Sequence, residues 1–210
     1  MITRHNVKKQ LLTAAILLIC FGLVGWGETW EDIRRESADI VSINAEFSQY
    51  KHLKILAKPL VSQGRFYFQK PDSIRWEYST PVKSILLMHK GSVKRYTQGS
   101  RGLVEDAGGA LSSMQVVVQE IGLWSQGRFT ESDHFQAELR GGKERKFILT
   151  PREKAFAAMI ARIEIIPSTQ QKGAIKSVKI VESEGNYTLL KFTNVKMNEK
   201  IAESVFRDAS

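Results

Sequence analysis

The stretch that decides the fold runs from Gln63 to Tyr78 and reads QGRFYFQKPDSIRWEY. Two arms of alternating apolar and polar side chains flank a Pro-Asp pair, which is the pattern of a β-hairpin. Pro71 cannot adopt the positive φ of a two-residue type I′ turn, because its ring fixes φ near −65°. The sequence therefore predicts an odd loop, Pro71-Asp72-Ser73.

The odd loop length decides which side chains share a face, since a slip of one residue would turn a whole arm over. The predicted cross-strand pairs are Lys70–Ile74, Phe68–Trp76 and Phe66–Tyr78. One face of the hairpin is then apolar with a single cation, Lys70, at its rim. The apolar members of this face are Phe66, Phe68, Ile74, Trp76 and Tyr78.

Outward from the hairpin, the chain shows mostly strand patterns. Helical spacing of apolar residues over positions 29–43 predicts an amphipathic helix before it, and strict alternation from Asn44 to Tyr50, with Phe47 on the apolar side, predicts a first strand. After Pro81, strands are predicted at 82–89 and 92–98, then at 134–140, 145–150, 159–166, 175–182 and 187–193. A glycine-rich segment, 99–109, is predicted to be a loop.

A second helix is predicted within this run of strands. Leu111, Met114, Val118 and Ile121 recur at helical spacing and form one apolar stripe. About ten strands with two helices predict a mainly β fold with some α: a large antiparallel sheet that curls into a half-open or closed barrel. A helix laid over the concave side would bury its stripe there and cover an apolar cavity. The simpler alternative is that the aromatic side chains fill an ordinary core.

Composition places the chain among ordinary globular proteins. It has 210 residues, of which 42% are hydrophobic and 25% charged. The segment 1–27 has a basic start, with Arg4, Lys8 and Lys9, followed by an uncharged run, and is predicted to be a signal peptide, which leaves one domain over 28–210. Without this segment the chain keeps 28 basic and 22 acidic residues, a net charge of +6. The only cysteine, Cys20, lies in the apolar run, so the exported domain has no disulfide.

The sequence gives little evidence for a catalytic, metal-binding or nucleic-acid-binding site. Ser132, Asp133 and His134 are adjacent in sequence, whereas a catalytic triad is assembled from separate elements. The histidines lack zinc-ligand spacing, and neither a phosphate-binding glycine pattern nor a G-x-S-x-G elbow occurs. The lysines are scattered and form no nucleic-acid-binding motif. We therefore expect a protein that is not an enzyme, uses no metal or cofactor, and does not bind nucleic acid.

Several motifs resemble a known family. The segments Ile43-Asn44-Ala45-Glu46-Phe47-Ser48-Gln49 and Gly64-x-Phe66-x-Phe68-x-Lys70-Pro71-x-x-x-Arg75-Trp76-x-Tyr78-x-x-Pro81 are similar to the N-terminal half of LolA-type outer-membrane lipoprotein carriers. Pro151, Ile163-x-Ile165, Phe192-Thr193-Asn194-Val195-Lys196-x-Asn198 and Phe206 resemble the C-terminal half. The resemblance implies an unclosed β-barrel with helices as a lid over a hydrophobic cavity.

The same resemblance implies a function. Carriers of this family take the acyl chains of lipoproteins through the periplasm, from an inner-membrane ABC transporter to an acceptor at the outer membrane. It also implies a monomer and a lid latch at position 70, where the best-known members carry an arginine that bonds backbone carbonyls. Lys70 keeps the charge but lacks the planar fork of five donors, so a different latch or a related cargo, such as a glycolipid, stays open.

The candidate site follows from the hairpin and the two helices. The cavity wall is expected to contain Phe47, Phe66, Phe68, Ile74, Trp76 and Tyr78, with Lys70 as the latch. The lid helix is expected to present Leu111, Met114, Val118 and Ile121. Two other functions remain open at this point: a periplasmic module that senses lipids or lipoproteins through the same fold, and a lipid-processing hydrolase.

Overall fold

The computed structural model describes residues 29–106, 110–142 and 144–209, and for residues 110–115 it describes the backbone alone. The predicted signal peptide lies outside this part of the chain. Helix α1 spans Trp30–Ala38, and helix α2 spans Ala110–Trp124. Two short helices follow, α3 at Lys154–Ala157 and α4 at Ser204–Arg207, with a 3-10 turn at Phe129–Glu131. Across the described ranges, no helix is long and apolar enough to span a membrane.

Eleven strands make up one sheet in the described residues. They are β1 Ser42–His52, β2 Leu60–Gln69, β3 Ser73–Thr80, β4 Ser84–His89, β5 Ser92–Gly99, β6 Gly102–Glu105, β7 Phe135–Arg140, β8 Lys146–Pro151, β9 Arg162–Pro167, β10 Ile175–Ser183 and β11 Asn186–Met197. The order is β6-β5-β4-β3-β2-β1-β11-β10-β9-β8-β7. This confirms the prediction of a mainly β fold built on an unclosed antiparallel sheet, with β6 and β7 as its edges.

The pairing of the first strand with the last places two meanders side by side. Strand β1 lies between β2 and β11, so that the sheet has a centre at β1 and two arms. The register shifts at four places, between Asn44 and Glu46, Gln63 and Gly64, Ile175 and Ser177, and Val181 and Ser183. Such irregularities bend a strand and increase its twist, so they let a sheet of this width curve around one core.

The hairpin confirms the predicted faces but not the predicted partners. Phe66 pairs with Trp76, Phe68 with Ile74 and Gln69 with Ser73, so the loop is Lys70-Pro71-Asp72. The loop is still odd, and the apolar side chains therefore share a face as predicted. The pairs Lys70–Ile74, Phe68–Trp76 and Phe66–Tyr78 are wrong, because the backbone N–H of Lys70 donates to the carbonyl of Val41 at 2.9 Å instead.

Two other boundaries differ from expectation. Helix α1 ends at Ala38 instead of continuing to residue 43, and its last carbonyls are capped from elsewhere, as described below. The glycine-rich segment is not all loop, because Gly102–Glu105 forms β6 against β5. This segment has too few apolar residues for an alternating pattern to predict a strand. A tight turn in which Gly99 opposes Gly102 brings β6 beside β5.

The outer face of the β3–β4 arm carries a cover of its own. Helix α4 lies there, with Phe206 buried and its ring stacked on His89 at 6.3 Å between centroids. Arg75 is buried beneath it and donates through Nη1 to the carbonyl oxygens of Val205 and Asp208, at 3.0 and 2.6 Å. Its Nε pairs with Glu77 at 2.8 Å, so the buried guanidinium has a carboxylate partner.

Candidate functional site

A cavity of about 280 Å³ lies between the core side of the sheet and helix α2. Most of its lining is apolar. The sheet contributes residues from both arms, including Ala45, Ile163, Val178 and Leu190, and α2 contributes Val116 to Trp124 side chains such as Val118 and Ile121. Pockets that bind small ligands are typically apolar and somewhat larger, at about 300–1,000 Å³. The cavity is therefore close to the size of a ligand site while α2 is in place.

Four of the six residues expected on the cavity wall line the cavity: Phe66, Ile74, Trp76 and Tyr78. Phe47 and Phe68 lie behind the wall. Phe68 is fully buried in the core, and Phe47, 2% exposed, packs its ring on Trp76 at 4.7 Å between centroids. Gly64 makes room for that ring, because a Cβ there would lie 2.7 Å from the tip of Phe47 and 1.9 Å from the carbonyl oxygen of Glu77.

An aromatic cluster forms the end of the cavity near Trp76. Phe66 contacts Trp76 at 5.4 Å, and Phe192 on β11 meets Trp76 edge to face at 6.2 Å. Phe192 lines the cavity too, although it is not among the site residues predicted from the sequence. Its strand is distant in sequence from the hairpin, and only the pairing of β1 with β11 brings the two together.

Tyr78 gives this end of the wall one oriented polar group. Its hydroxyl donates to Gln49 Oε1 at 2.8 Å, and both side chains line the cavity. Burial raises the pKa of the Tyr78 phenol, so the hydroxyl keeps its proton at neutral pH. The neutral hydroxyl adds no charge to the apolar wall.

Helix α2 forms the opposite wall. Val118 is fully buried, and Ile121 also lines the cavity. The side chains of Leu111 and Met114 lie outside the described residues. Trp124, 8% exposed, completes the wall and packs edge to face against Phe135 at 6.4 Å. It falls one turn after Glu120 and lies beyond the stripe recognised from the sequence.

Glu120 is the charged residue that α2 brings to the cavity. It is only 2% exposed, and its Oε1 accepts a hydrogen bond from the Ser132 hydroxyl at 2.7 Å. Burial raises the pKa of the Glu120 carboxyl, an effect that the Ser132 hydroxyl and the nearby His134 partly offset. Glu120 could not be predicted as a site residue from the sequence, since an acid next to a helical stripe usually belongs to a solvated face.

The same contacts clarify the Ser132-Asp133-His134 segment. The Ser132 oxygen accepts hydrogen bonds from the backbone N–H groups of His134 and Phe135, at 3.1 and 2.8 Å, while its proton is directed at Glu120. The His134 ring lies against Glu153 instead, with Nδ1 at 3.2 Å from Oε1. Ser132 therefore acts as a structural link between α2 and β7, and its geometry does not match a histidine-activated nucleophile.

Lys70 contacts helix α1. Its Nζ donates to the backbone carbonyl of Ala38, the last residue of α1, at 2.7 Å. Asn198 Nδ2 donates to the next carbonyl, that of Asp39, at 3.0 Å, and Asn198 Oδ1 accepts from the Val41 N–H at 2.8 Å. The last carbonyls of a helix have no partner within it, and a cation there also interacts favourably with the helix dipole.

The fold and the site together define a half-open antiparallel barrel with an apolar internal cavity walled by a helix. The family model described as outer membrane lipoprotein carrier protein LolA matches residues 38–208. The chain therefore belongs to this family, as its motifs suggested.

The chain is also similar to individual proteins at low sequence identity. The chain is 21% identical to an outer-membrane lipoprotein carrier protein of Helicobacter hepaticus over 188 residues, covering 90% of this chain and 84% of that protein. It is 24% identical to a carrier of the same description from Histophilus somni over 202 residues, covering 93% and 92%. The crystal structure of a LolA superfamily protein from Nitrosomonas europaea matches with a TM-score of 0.44 at 9% identity, covering 86% of this chain and 98% of that one.

Proposed function

We propose that this protein is a periplasmic carrier that holds the acyl chains of lipoproteins in the cavity and takes them from the inner to the outer membrane. The observation that carries the proposal is the apolar cavity between the sheet and α2 in a chain of the LolA family. Both curated relatives are described as outer-membrane lipoprotein carrier proteins. The predicted signal peptide supports export of the mature domain.

The partners follow from this role. The cargo is an acylated lipoprotein, the donor is the inner-membrane lipoprotein-releasing ABC transporter, and the receiver is an acceptor at the outer membrane. The protein works as a monomer in this scheme and catalyses no reaction. The satisfied hydrogen bonds of Ser132 support a binding role rather than a hydrolytic one.

A carrier must bind an acyl chain without retaining it. Each buried CH₂ contributes about 0.8 kcal/mol, so a long chain represents on the order of 10 kcal/mol. Binding of that strength would oppose release unless something competes with the cargo. Helix α2 provides the competition, because its own apolar side chains occupy the wall that the cargo would contact.

We therefore assign α2 as the lid. Val118 and Ile121 face the cavity, and Leu111 and Met114 continue the same stripe in the sequence. When the cavity fills, the stripe moves aside, and the apolar surface that the lid loses is replaced by the acyl chain. The free energy of binding is then the difference between two burials, which keeps it moderate.

We assign Lys70 as the latch, but on α1 rather than on α2. Its bond to the Ala38 carbonyl ties the end of α1 to the hairpin loop. Replacing Lys70 with Met removes the donor but keeps the aliphatic stem. Because the side chain is partly exposed, we expect a loss of stability of about 1 kcal/mol, measured by chemical denaturation. Lys70→Arg, which keeps a donor, should retain the stability of the wild-type protein. An unchanged stability in Lys70→Met would reject the latch.

The lid is tested by immobilising it. A Cβ at Gly122 of α2 would lie 3.8 Å from Cδ1 of Ile74 on β3. Cysteines at these two positions can be joined by a short bifunctional thiol-reactive crosslinker, and the same protein without the crosslinker is the matched control. Binding of a fluorescent triacylated lipopeptide should be lost on crosslinking and retained in the control. Equal binding by both forms would reject α2 as the lid.

The cavity itself is tested through Trp76, which contacts both Phe66 and Phe192. In a variant that keeps Trp76 as its one tryptophan, with Trp26, Trp30 and Trp124 replaced by Phe, binding of the lipopeptide should shift the emission. A lipopeptide that binds without any change in Trp76 emission would place the cargo elsewhere and contradict the proposed site.

A further inference from the structure

The β1–β2 hairpin ends in a loop where exposed apolar side chains are concentrated. Ile55 is 89% exposed, and Leu56, Leu60 and Val61 are 42%, 54% and 47% exposed. We call residues 53–61 the apolar tip. Other large apolar side chains that are exposed in the described residues lie singly on separate segments, at Val41, Val82, Val104, Val117 and Met159. Single exposed apolar side chains are normal on a protein surface, whereas a cluster of them usually marks an interaction site.

The apolar tip is held in place and extends past a neighbouring strand. The N–H of Leu56 donates to the Leu53 carbonyl at 2.8 Å, and the N–H of Lys54 donates to Oδ1 of Asn186 at 2.9 Å. The pairing of β2 with β3 begins at Gln63, so the tip lies beyond the end of β3. The apolar side chains are therefore presented to solvent on hydrogen-bonded backbone.

The charge around the apolar tip is positive. Lys54 and Lys58 are exposed within it, and the segment 47–71 contains no acidic residue. The β10–β11 hairpin beside the tip contributes two acids, Glu182 and Glu184. Glu182 pairs with Lys51 at 3.5 Å. The lysines of the tip itself are thus available to an anionic surface.

Two tyrosines with lysines over their rings adjoin the apolar tip. Val61 of the tip pairs with Tyr50 across β1 and β2, and Tyr187 lies at the near end of β11. Nζ of Lys191 lies 5.5 Å from the centre of the Tyr50 ring. Nζ of Lys179 lies 4.2 Å from the centre of the Tyr187 ring. Tyrosine and lysine both suit a membrane–water interface, because each has an apolar body and a polar end.

A lipid surface accounts for this combination. Interfacial binding joins the burial of apolar side chains among the headgroups to the attraction between lysine and anionic lipid. Four apolar side chains at the end of one hairpin form a small patch for a stable protein interface, which buries about 800 Å² on each partner. We infer that the apolar tip inserts into the surface of a bilayer that contains anionic lipid. Membrane binding of this kind needs no cargo, so it goes beyond the proposed function.

Sedimentation with vesicles measures the binding. The exported form of the protein, residues 28–210, should bind vesicles of equal parts phosphatidylcholine and phosphatidylglycerol at least about 10-fold more tightly than vesicles of phosphatidylcholine alone. Added salt should weaken the binding, because it screens the attraction between the lysines and the headgroups.

The apolar side chains are tested by a double substitution. Ile55→Ser combined with Leu56→Ser should weaken binding to the anionic vesicles by at least about 10-fold, because two apolar side chains no longer enter the headgroup region. The control combines Val41→Ser, next to the other end of β1, with Val104→Ser on edge strand β6. These two side chains are 52% and 57% exposed, and their loss should leave binding unchanged.

The lysines are tested with a control of the same net charge. Lys54→Gln combined with Lys58→Gln should weaken binding to the anionic vesicles by about 10-fold or more. Lys172→Gln combined with Lys200→Gln changes two exposed lysines at the other end of the sheet, near the start of β10 and the end of β11. Equal weakening by the two pairs would mean that net charge alone attracts the protein, and would overturn the role of the tip.

Insertion is measured with a fluorophore on the tip. Residues 28–210 contain no cysteine, so Ile55→Cys gives a single site for a polarity-sensitive label. The emission of this label should shift to the blue when anionic vesicles are added, because the label enters the headgroup region. The same label on Val104→Cys should not shift. A label that stays in water at position 55 while the protein is bound to the vesicles would contradict insertion.

The outcomes are independent of the carrier proposal. Absence of vesicle binding, or binding that the Ile55→Ser, Leu56→Ser variant retains, would overturn the inference and point to a protein partner for the tip. The same variant should still bind the lipopeptide, which also shows that it is folded. Loss of vesicle binding with lipopeptide binding kept therefore supports the membrane role of the tip, whereas a wild-type protein that binds vesicles but no lipopeptide would contradict only the carrier function.

Discussion

Helices α1 and α2 both pack into the same hydrophobic core, through Ile33 and Ile40 near α1 and Val118 and Trp124 on α2, yet they are held by different forces. Helix α1 is fixed by directional bonds. A capping box joins Thr29 and Asp32 at its start, Glu36 pairs with Arg145 at 3.1 Å, and the Lys70 and Asn198 side chains bond the carbonyls at its end.

Helix α2 has far less of this kind of restraint. Among its described side chains, Glu120 alone is hydrogen-bonded to another element. The rest of its contact with the sheet is apolar and follows no fixed direction, so an apolar ligand can replace it with little loss. The longer helix is therefore the one suited to move, and the shorter helix is fixed to the sheet.

The strongest loss of stability is expected at Gly127, which lies against helix α1. Gly127 has a φ of 70°, and a Cβ there would lie 2.7 Å from Ser37 Oγ and 3.0 Å from the Ile33 carbonyl oxygen. Gly127→Ala should therefore lower the free energy of unfolding by about 2–4 kcal/mol, measured by urea denaturation.

Gly91→Ala is the matched control for this change. Gly91 has a φ of 77°, and a Cβ there would meet nothing within 4 Å. It should cost only the backbone strain, about 1 kcal/mol. Equal losses in the two variants would mean that the close approach of α1 contributes nothing, and the contrast between the helices would weaken.

The next effect is on the one polar link of α2. Ser132→Ala leaves the buried carboxyl of Glu120 without its donor, which should cost about 1–3 kcal/mol of stability. If α2 is the proposed lid, loss of this link should raise the affinity for the lipopeptide. Ser42→Ala, which removes a bond of 2.6 Å to the Glu199 carbonyl away from α2, should lower stability without changing affinity. Weaker lipopeptide binding in Ser132→Ala would contradict the role of the link.

The stability of the protein should depend on pH through Glu120. Because burial raises the pKa of Glu120, the folded protein binds this proton more tightly than the unfolded chain does. The resulting stabilisation is fully present below the ordinary glutamate pKa and is lost as pH rises through the raised value. The stability of the wild-type protein relative to Glu120→Gln should thus fall with increasing pH, on the order of 1 kcal/mol, measured by denaturation across the acid range. A difference that is flat, or that rises with pH, would refute it.

The smallest effect concerns the flexibility of α2. Gly122→Ala adds a methyl group in ordinary contact with Ile74 and Met88, at 3.8 and 4.0 Å, and removes a poor helix former. It should stabilise the protein by about 0.5–1 kcal/mol. If α2 must move to admit cargo, lipopeptide affinity should fall by up to about fivefold. A more stable variant with unchanged affinity would indicate that α2 stays in place.

The local pattern predicted the strands well where both ends carried turn signals. The strand from Ser92 follows the Lys90-Gly91 turn, whose φ values of 51° and 77° suit a tight hairpin. The pattern could not give the exact partners in the first hairpin, because the N–H of Lys70 bonds Val41, which lies outside the hairpin. It also left out the short strand β6, which has little side-chain signal of its own.

Only part of the candidate site could be predicted from the sequence. Phe66, Ile74, Trp76 and Tyr78 could be placed on one face because they lie within sixteen consecutive residues, and this face lines the cavity. Phe192, Glu120 and Trp124 could not be selected, since each resembles an ordinary strand or helix residue until the opposite wall is known. The sequence also could not show that Phe47 and Phe68 lie behind the wall. Alternation gives the face of a side chain but not its distance from the cavity.

The sequence by itself determined the alternation of faces, the two helical stripes, the family motifs and the unclosed antiparallel sheet that they predict. These depend on spacing of two and of 3.6 residues, which is fixed along the chain. Only the tertiary structure decided which helix is clamped and which walls the cavity, and which side chains line that cavity. Those properties arise between segments that are 32 to 159 residues apart, such as Lys70 with α1, Trp76 with Phe192 and Asn198 with Asp39, whose contacts depend on how the sheet curves.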